Sequence, residues 1–155
     1  MEKIYVVRHG EYEGAHDGPL TFPARSVIAK LAWKIKSDLL GRSKKVLIFS
    51  SETARTRMTA QIIALEFGKI SIEYSNLLGP TDIVDLEGLG AFIKEQEDQC
   101  DILILVTHAE VANDFPFYYA DKVWGEMVRT PILNKGEGLV IDCHERIIEH
   151  CVPKR

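Results

Sequence analysis

Short apolar segments alternate with helical patterns along this chain, and that alternation constrains the fold more than any other feature of the sequence. Four segments rich in β-branched or aromatic residues and bounded by polar ones predict buried strands. They cover residues 3–7, 45–50, 70–74 and 101–107. Between them, apolar residues recur every three or four positions, which predicts helices over about residues 24–40, 51–67 and 81–97. Strands alternating with helices are typical of a mostly parallel sheet with helices on both faces.

The end of the sequence departs from this alternation. Residues 138–143 and 146–151 predict two strands joined by a tight turn at His144 and Glu145, an antiparallel addition to the sheet. The aromatic stretch from Phe115 to Trp124 is interpreted as local core. The chain is 155 residues long, which suits one domain. We therefore predict a single α/β domain over residues 1–155, a three-layer α/β/α sandwich whose mostly parallel sheet carries an antiparallel C-terminal strand pair.

Two of the helical patterns also predict which side chains are buried. In the first helix the predicted apolar stripe consists of Val27, Ile28, Leu31, Ile35 and Leu39. The second helix is predicted to start with Ser51 as its N-cap and to bury Met58, Ile62 and Leu65.

Composition excludes several classes of protein. Hydrophobic residues make up 46% and charged residues 27% of the chain, which argues against disorder and coiled coil. The formal net charge of −4 disfavours general binding of duplex nucleic acid.

No apolar run approaches the ~20 residues that cross a bilayer, and no signal peptide is visible. The three cysteines have no C-x-x-C spacing, so we expect reduced thiols and a cytoplasmic location.

Arginine or histidine follows three of the predicted strands. Arg8 and His9 follow the first strand, Arg55 lies just beyond the second, and His108 follows the fourth. Each residue alone has an ordinary interpretation as a cap, a core residue or a solvated helix residue. Together they fall on the edge of a parallel sheet where functional sites form. Two arginines and two histidines without an acidic cage favour an anion over a metal ion, and paired guanidinium hydrogen bonds suit a phosphoryl group.

These residues also carry a family resemblance. Arg8-His9-Gly10 resembles the R-H-G signature of the histidine phosphatase superfamily, also called phosphoglycerate mutase-like. The segment from Ser50 to Thr59-Ala60, with Arg55 at its centre, is similar to that family's second motif, and Thr107-His108 is similar to the third. The short length and residues 77–82 look most like the small SixA-type phosphohistidine phosphatases. The resemblance implies the α/β fold, no metal or organic cofactor, and a phosphorylated protein or small phosphorylated metabolite as substrate.

The resemblance also implies a role for each site residue. His9 would attack phosphorus as a neutral imidazole, with its other ring nitrogen held by a backbone carbonyl. Arg8, Arg55 and a protonated His108 would neutralise the phosphoryl oxygens. Ala109, which stands where the family often has glycine, would belong to the phosphate-binding segment.

Three carboxylates are candidates for the general acid that protonates the leaving group. Glu11 follows the first motif directly, although it also fits a solvated turn. Asp82 fits a cap of the third helix, and Glu87 fits an exposed helix face. A SixA-type enzyme needs no such acid, because imidazole leaves more readily than an alkoxide. The alternatives to a phosphohistidine phosphatase are a small-molecule phosphatase of the same superfamily and a non-catalytic module that binds phosphate or a phosphoprotein.

Overall fold

One six-stranded sheet carries the fold in the computed structural model, which describes residues 1–39 and 44–153. The elements in chain order are β1 (Lys3–Arg8), α1 (Phe22–Asp38), β2 (Val46–Ser50), α2 (Ala54–Glu66), β3 (Ile72–Tyr74), α3 (Leu86–Gln96), β4 (Ile102–Thr107), α4 (Ala109–Tyr119), β5 (Gly138–Asp142) and β6 (Ile147–Cys151). A 3₁₀ turn over Asn76–Leu78 and a π-helical turn over Ala120–Trp124 complete the described chain. Each strand predicted from sequence is present, with ends that differ by no more than about two residues. The end of the first helix, predicted near residue 40, falls at the limit of the described residues.

The sheet has the strand order β3-β2-β4-β1-β5-β6. Strands β3, β2, β4 and β1 run parallel, whereas β5 is antiparallel to β1 and β6 is antiparallel to β5. This arrangement confirms the predicted fold class. In the strand register, Arg8 lies beside Thr107, and Ser50 lies beside Val106. The carboxyl ends of β1, β4 and β2 are therefore level with one another at one edge of the sheet.

Side chains alternate between the two faces of the sheet, and each face has its own core. On β1, Tyr5 and Val7 pack in the cluster with α1 and α2, while Ile4 and Val6 pack in the cluster with α3 and α4. Every residue of β4 is buried. A strand that is apolar on both faces requires helices on both sides, and this requirement produces the three layers. None of the described helices is long and apolar enough to cross a membrane.

Helix α2 differs from the sequence prediction in its cap and in its buried face. Thr53, not Ser51, is the N-cap, and its hydroxyl accepts a hydrogen bond from the Thr56 N–H group at 3.4 Å. Ile63 is fully buried, whereas Leu65 is 59% exposed, so the prediction that Leu65 is buried was wrong. The segment from Ala60 to Leu65 is apolar on several sides, and the apolar pattern alone does not select the face that packs.

Two further predictions are corrected on the helices that flank the sheet. Val27 on α1 is 48% exposed and lies outside the buried stripe. Helix α3 begins only at Leu86, and its N-cap is Asp85, whose carboxylate accepts a hydrogen bond from the Gly88 N–H at 2.9 Å. Asp82 therefore does not cap this helix. The aromatic stretch after β4 does contribute to the core, but most of it belongs to α4, an element that the sequence prediction lacked.

Candidate functional site

The level carboxyl ends of β1, β2 and β4 bring the polar residues that follow them into one cluster. His9 and His108 directly follow β1 and β4, and their ring centroids are 5.1 Å apart. Arg55, in the first turn of α2, reaches both rings. His9 and His108 are 4% and 3% exposed, so both imidazoles are withdrawn from water. The structure thus brings together three of the four residues of the predicted site at hydrogen-bond distance.

His9 is held in one orientation by a main-chain hydrogen bond. Its Nδ1 atom lies 2.9 Å from the carbonyl oxygen of Gly10, and a carbonyl only accepts, so Nδ1 carries the proton. The Nε2 lone pair then faces the Arg55 Nε–H, which donates to it at 3.3 Å. The Gly10 N–H donates to the Thr59 hydroxyl at 3.2 Å and anchors this backbone to α2. Nε2 is therefore the unprotonated nitrogen of the ring, and its lone pair faces Arg55.

Arg55 connects the polar groups of the site. Besides His9, it donates from one terminal nitrogen to His108 Nδ1 at 3.4 Å and from the other to Asp17 Oδ1 at 3.3 Å. The same Asp17 oxygen accepts from the Ala54 N–H at 2.7 Å, at the start of α2. Tyr12 lies over the guanidinium, with its ring centroid 4.6 Å from the Arg55 Cζ atom. The guanidinium is therefore fixed from several sides while its hydrogen-bond donors point at both imidazoles.

Arg8 adds a second guanidinium at the end of β1. One of its terminal nitrogens donates to the Leu133 carbonyl oxygen at 2.9 Å. Its Nε atom is buried and has no hydrogen-bond partner among the described residues. A buried donor without a partner is costly, so an acceptor on a bound molecule would be favourable there. Ala109 lies at the first position of α4, where backbone N–H groups have no acceptor within the helix.

His108 is bound on its other side by Ser51. The Ser51 hydroxyl lies 2.8 Å from His108 Nε2, and it also lies 2.7 Å from the Thr56 hydroxyl. Because Nδ1 accepts from Arg55, the proton of the neutral ring is on Nε2, which donates to Ser51. Nδ1 is thus the atom that faces the centre of the site, and any further proton would be added there.

Both imidazoles are neutral at neutral pH. Burial, followed by the charges of Arg55 and Arg8, lowers the pKa of His9 to about 4, although its bond to the Gly10 carbonyl opposes this shift. Burial and the neighbouring His9 and Arg55 lower the pKa of His108 to about 3, and only Asp17 opposes them. A neutral His9 keeps its Nε2 lone pair available. Protonation of His108 remains a prediction for the state with a bound phosphoryl group, whose negative charge would favour it.

We expect the free energy of unfolding to fall as the pH drops below 6.5. The unfolded chain binds protons on these histidines near pH 6.5, whereas the folded chain keeps them neutral to lower pH, so acid favours unfolding. For His9 alone, the loss is about 2 kcal/mol at pH 5. Urea denaturation at pH 7.5 and pH 5 measures it. His9→Gln should lose less stability than the wild type, while the exposed His144→Gln should match the wild type; equal losses in all three proteins would contradict this assignment.

The three candidate acids lie in different places. Glu11 is 63% exposed, and its carboxylate lies 3.4 Å from the Lys135 ammonium. Asp82 lies in the exposed loop before α3, and Glu87 lies on the exposed surface of its first turn. No hydrogen bond joins Asp82 or Glu87 to a residue of the cluster in the described part of the chain. Of the three, only Glu11 lies against a group that itself contacts the site.

Sequence reasoning missed three side chains that surround the cluster. Tyr12 lies edge to face with His9, with ring centroids 5.4 Å apart, and the Lys135 ammonium lies 5.1 Å from the Tyr12 centroid. Asp17 binds Arg55 and the start of α2. Lys135 is separated from Glu11 by 124 positions, so no local pattern indicates their contact. Asp17 lies in a loop rich in glycine, where a solvated carboxylate is the ordinary expectation.

Comparison with known proteins adds a family model and several solved structures. The model for the histidine phosphatase superfamily (branch 1) matches residues 4–108. The fold is similar to that of a candidate phosphohistidine phosphatase, SixA, from Agrobacterium tumefaciens, with 20% identity and a TM-score of 0.65, covering 96% of this chain and 94% of that one. It is also similar to the alpha-ribazole phosphatase of Shigella flexneri, with 15% identity and a TM-score of 0.62, covering 99% and 96%.

A third similar structure is phosphoserine phosphatase from Entamoeba histolytica in complex with 3-phosphoglyceric acid. It has 15% identity and a TM-score of 0.62, covering 97% of this chain and 95% of that one. At these identities the solved structures agree in fold and differ in the substrates that they name. No curated protein sequence matches this chain significantly.

Proposed function

Because the chain belongs to the histidine phosphatase superfamily, we propose that it is a phosphatase that works through a phosphohistidine intermediate on His9. We further propose that its substrate is the phosphohistidine of another protein, as in SixA-type enzymes. The observation that carries the first proposal is the hydrogen bonding of Arg55, which donates to His9 Nε2 and to His108 Nδ1 at once. The His9 Nε2 and His108 Nδ1 atoms therefore face the same guanidinium. A phosphoryl group bound between them would contact the proposed nucleophile, His9, and the hydrogen-bond donors of Arg55 at the same time.

The proposed reaction has two displacements. In the first, the His9 Nε2 lone pair forms a bond to phosphorus while the bond from phosphorus to the leaving group breaks. The two guanidinium groups of Arg8 and Arg55 bind the phosphoryl oxygens as their charge is redistributed. His108 takes up a proton from solvent at Nδ1 when the phosphoryl group binds, and the Nδ1–H group then donates a hydrogen bond to one of these oxygens. In the second displacement, the oxygen of water bonds to phosphorus while the bond to Nε2 breaks and returns its electron pair to His9. Inorganic phosphate leaves with the protons of that water and passes one of them to solvent.

The placement of the candidate acids supports a substrate whose leaving group departs without protonation by a general acid. Asp82 and Glu87 are exposed and form no hydrogen bond with the cluster, and the Glu11 carboxylate is paired with the Lys135 ammonium. Asp17, the carboxylate that does contact the cluster, already accepts hydrogen bonds from Arg55 and from the Ala54 N–H. An alkoxide leaving group depends on a positioned acid, whereas an imidazole leaving group does so much less. This difference favours phosphohistidine over an alkyl phosphate. The fold likeness to SixA is consistent with the proposal and is not specific to it.

We expect the protein to release phosphate from a phosphohistidine peptide and from p-nitrophenyl phosphate, both of which have good leaving groups. A phosphoserine peptide of the same sequence should have a kcat/KM about 100-fold lower. Its alkoxide leaving group depends on a positioned general acid, which typically raises the rate by about 100-fold. Phosphate release by a coupled assay measures all three. Equal rates on phosphoserine and phosphohistidine would contradict the substrate proposal and support a phosphatase that acts on phosphomonoesters. Phosphate binding without release from any substrate would support the non-catalytic module.

We also propose that the protein acts in the cytoplasm. Its three cysteines are unpaired, and Cys100 and Cys151 are buried in the two cores. Unpaired thiols are usual in proteins of a reducing compartment. Phosphorylated signalling proteins that carry phosphohistidine would be available as substrates there.

A further inference from the structure

A tight turn over residues 134–137 fixes Lys135 beside the proposed nucleophile. The Glu137 N–H donates to the Asn134 carbonyl oxygen at 3.1 Å, and Gly136 has a φ of +81°, as the third residue of a type II turn requires. The Gly136 N–H donates to the carbonyl oxygens of both Arg8 and His9, at 3.2 and 2.9 Å. The backbone of Lys135 is therefore attached to the backbone that carries the nucleophile.

The Lys135 side chain extends to the side of the site formed by Tyr12. Its ammonium lies 5.1 Å from the centroid of the Tyr12 ring, and that ring lies edge to face with His9. The charge on Lys135 is close enough to contribute to the lowered pKa of His9, after burial and the two arginines. The ammonium thus contacts Tyr12, which contacts His9, and lies one side chain away from the proposed nucleophile.

Lys135 is not needed to bind the phosphoryl group itself. Two guanidinium groups, those of Arg8 and Arg55, already match the charge of a phosphoryl dianion. Among the described residues, the ion-pair partner of Lys135 is Glu11, at 3.4 Å, with the Glu11 side chain 63% exposed. Exposed pairs of this kind add little stability, so another anion can replace Glu11 at small cost.

We propose that Lys135 is a specificity-determining residue that binds a second anionic group on the substrate, an acidic side chain next to the phosphohistidine. This inference rests on the proposed function. The anion would take the place of Glu11 on the ammonium, while Tyr12 keeps the lysine side chain against the mouth of the site. The partner protein would then be selected by an acidic residue adjacent to its phosphorylated histidine.

A pair of phosphohistidine peptides that differ only in glutamate or glutamine next to the phosphohistidine tests the proposal. We expect the wild type to prefer the glutamate peptide about fivefold in kcat/KM at low ionic strength. Lys135→Met should reduce this ratio to about one, and Lys135→Arg should retain it. Glu11→Gln should raise the ratio, because it removes the competing carboxylate. Salt at about 0.5 M should lower the ratio in the wild type, because the contact is exposed.

Lys3→Met is the matched control. Lys3 also pairs with a carboxylate, that of Asp142 at 3.9 Å, and its side chain is 30% exposed compared with 33% for Lys135. It lies at the opposite end of β1 from the site, so its loss should leave both rates unchanged. A ratio near one in the wild type, or a ratio that survives Lys135→Met, would overturn the inference and leave the proposed function intact. Failure to dephosphorylate either peptide would overturn both this inference and the proposal of a phosphohistidine substrate.

Discussion

His9→Ala is expected to lower kcat by about 10⁴-fold or more on every substrate that the wild type hydrolyses. The variant removes the Nε2 atom that the Gly10 carbonyl holds in the reactive tautomer, and His108 is not a ready substitute. In the proposed mechanism His108 Nδ1, which accepts from Arg55, takes up a proton when the phosphoryl group binds, and a protonated imidazole has no lone pair with which to attack phosphorus. Single-turnover assays with ³²P-labelled substrate should show acid-labile label on the wild type and none on His9→Ala.

Binding of inorganic phosphate distinguishes the loss of the His9 side chain from unfolding of the variant. Arg8, Arg55 and His108 remain in His9→Ala, so inorganic phosphate should still bind, with a Kd measurable by calorimetry. The exposed His16→Ala, a histidine in the loop that follows β1, should keep both the label and the rate. Residual turnover of His9→Ala above one per cent of the wild type would show that another group attacks phosphorus.

Arg55→Met is expected to lower kcat/KM by about 10³-fold, the second largest effect among these predictions. The change removes the donors to His9, His108 and Asp17 together, and with them a charge beside the transferred phosphoryl group. Arg55→Lys should recover only part of this loss, because an ammonium cannot donate along three fixed directions in one plane. Steady-state rates on p-nitrophenyl phosphate measure both variants.

Arg57→Met is the control for this experiment. Arg57 lies two positions further along the same helix, with its guanidinium 4.8 Å from the centroid of the Tyr74 ring and away from the imidazoles. Its loss should change kcat/KM by less than about twofold, as is usual for a surface residue. If the two methionine variants lost activity equally, the guanidinium of Arg55 would have no specific role.

The fold and the centre of the site follow from rules that act locally along the chain. The segment 102–107 predicts a buried strand because every residue in it is apolar except the last. The structure agrees, because every residue of β4 is buried. Three parallel strand ends then bring His9, Arg55 and His108 to one edge of the sheet, a consequence of topology that needs no knowledge of side-chain packing.

The parts that were not predicted depend on contacts between distant segments. Leu65 and Ile63 are equally apolar, and only the packing of α2 on the sheet makes Ile63 the buried one. Lys135 meets Glu11 across 124 positions through a turn whose direction is set by Gly136. Asp17 and Arg55 meet in the same way, across 38 positions. Sequence patterns therefore identify the residues of the central cluster more readily than the side chains that surround it.

The hydrogen bonds from Gly136 to the backbone of Arg8 and His9 also bear on the order in which the molecule is made. A ribosome has synthesised His9, Arg55 and His108 before it reaches this glycine or the strand β5 that covers one side of β1. Until then, one edge of β1 is open and the main chain at Arg8 and His9 lacks its hydrogen bonds to Gly136 and Glu137. We expect the nascent chain to carry His9, Arg55 and His108 before these main-chain contacts can form, so that any activity that depends on His9 begins only when β5 has left the exit tunnel.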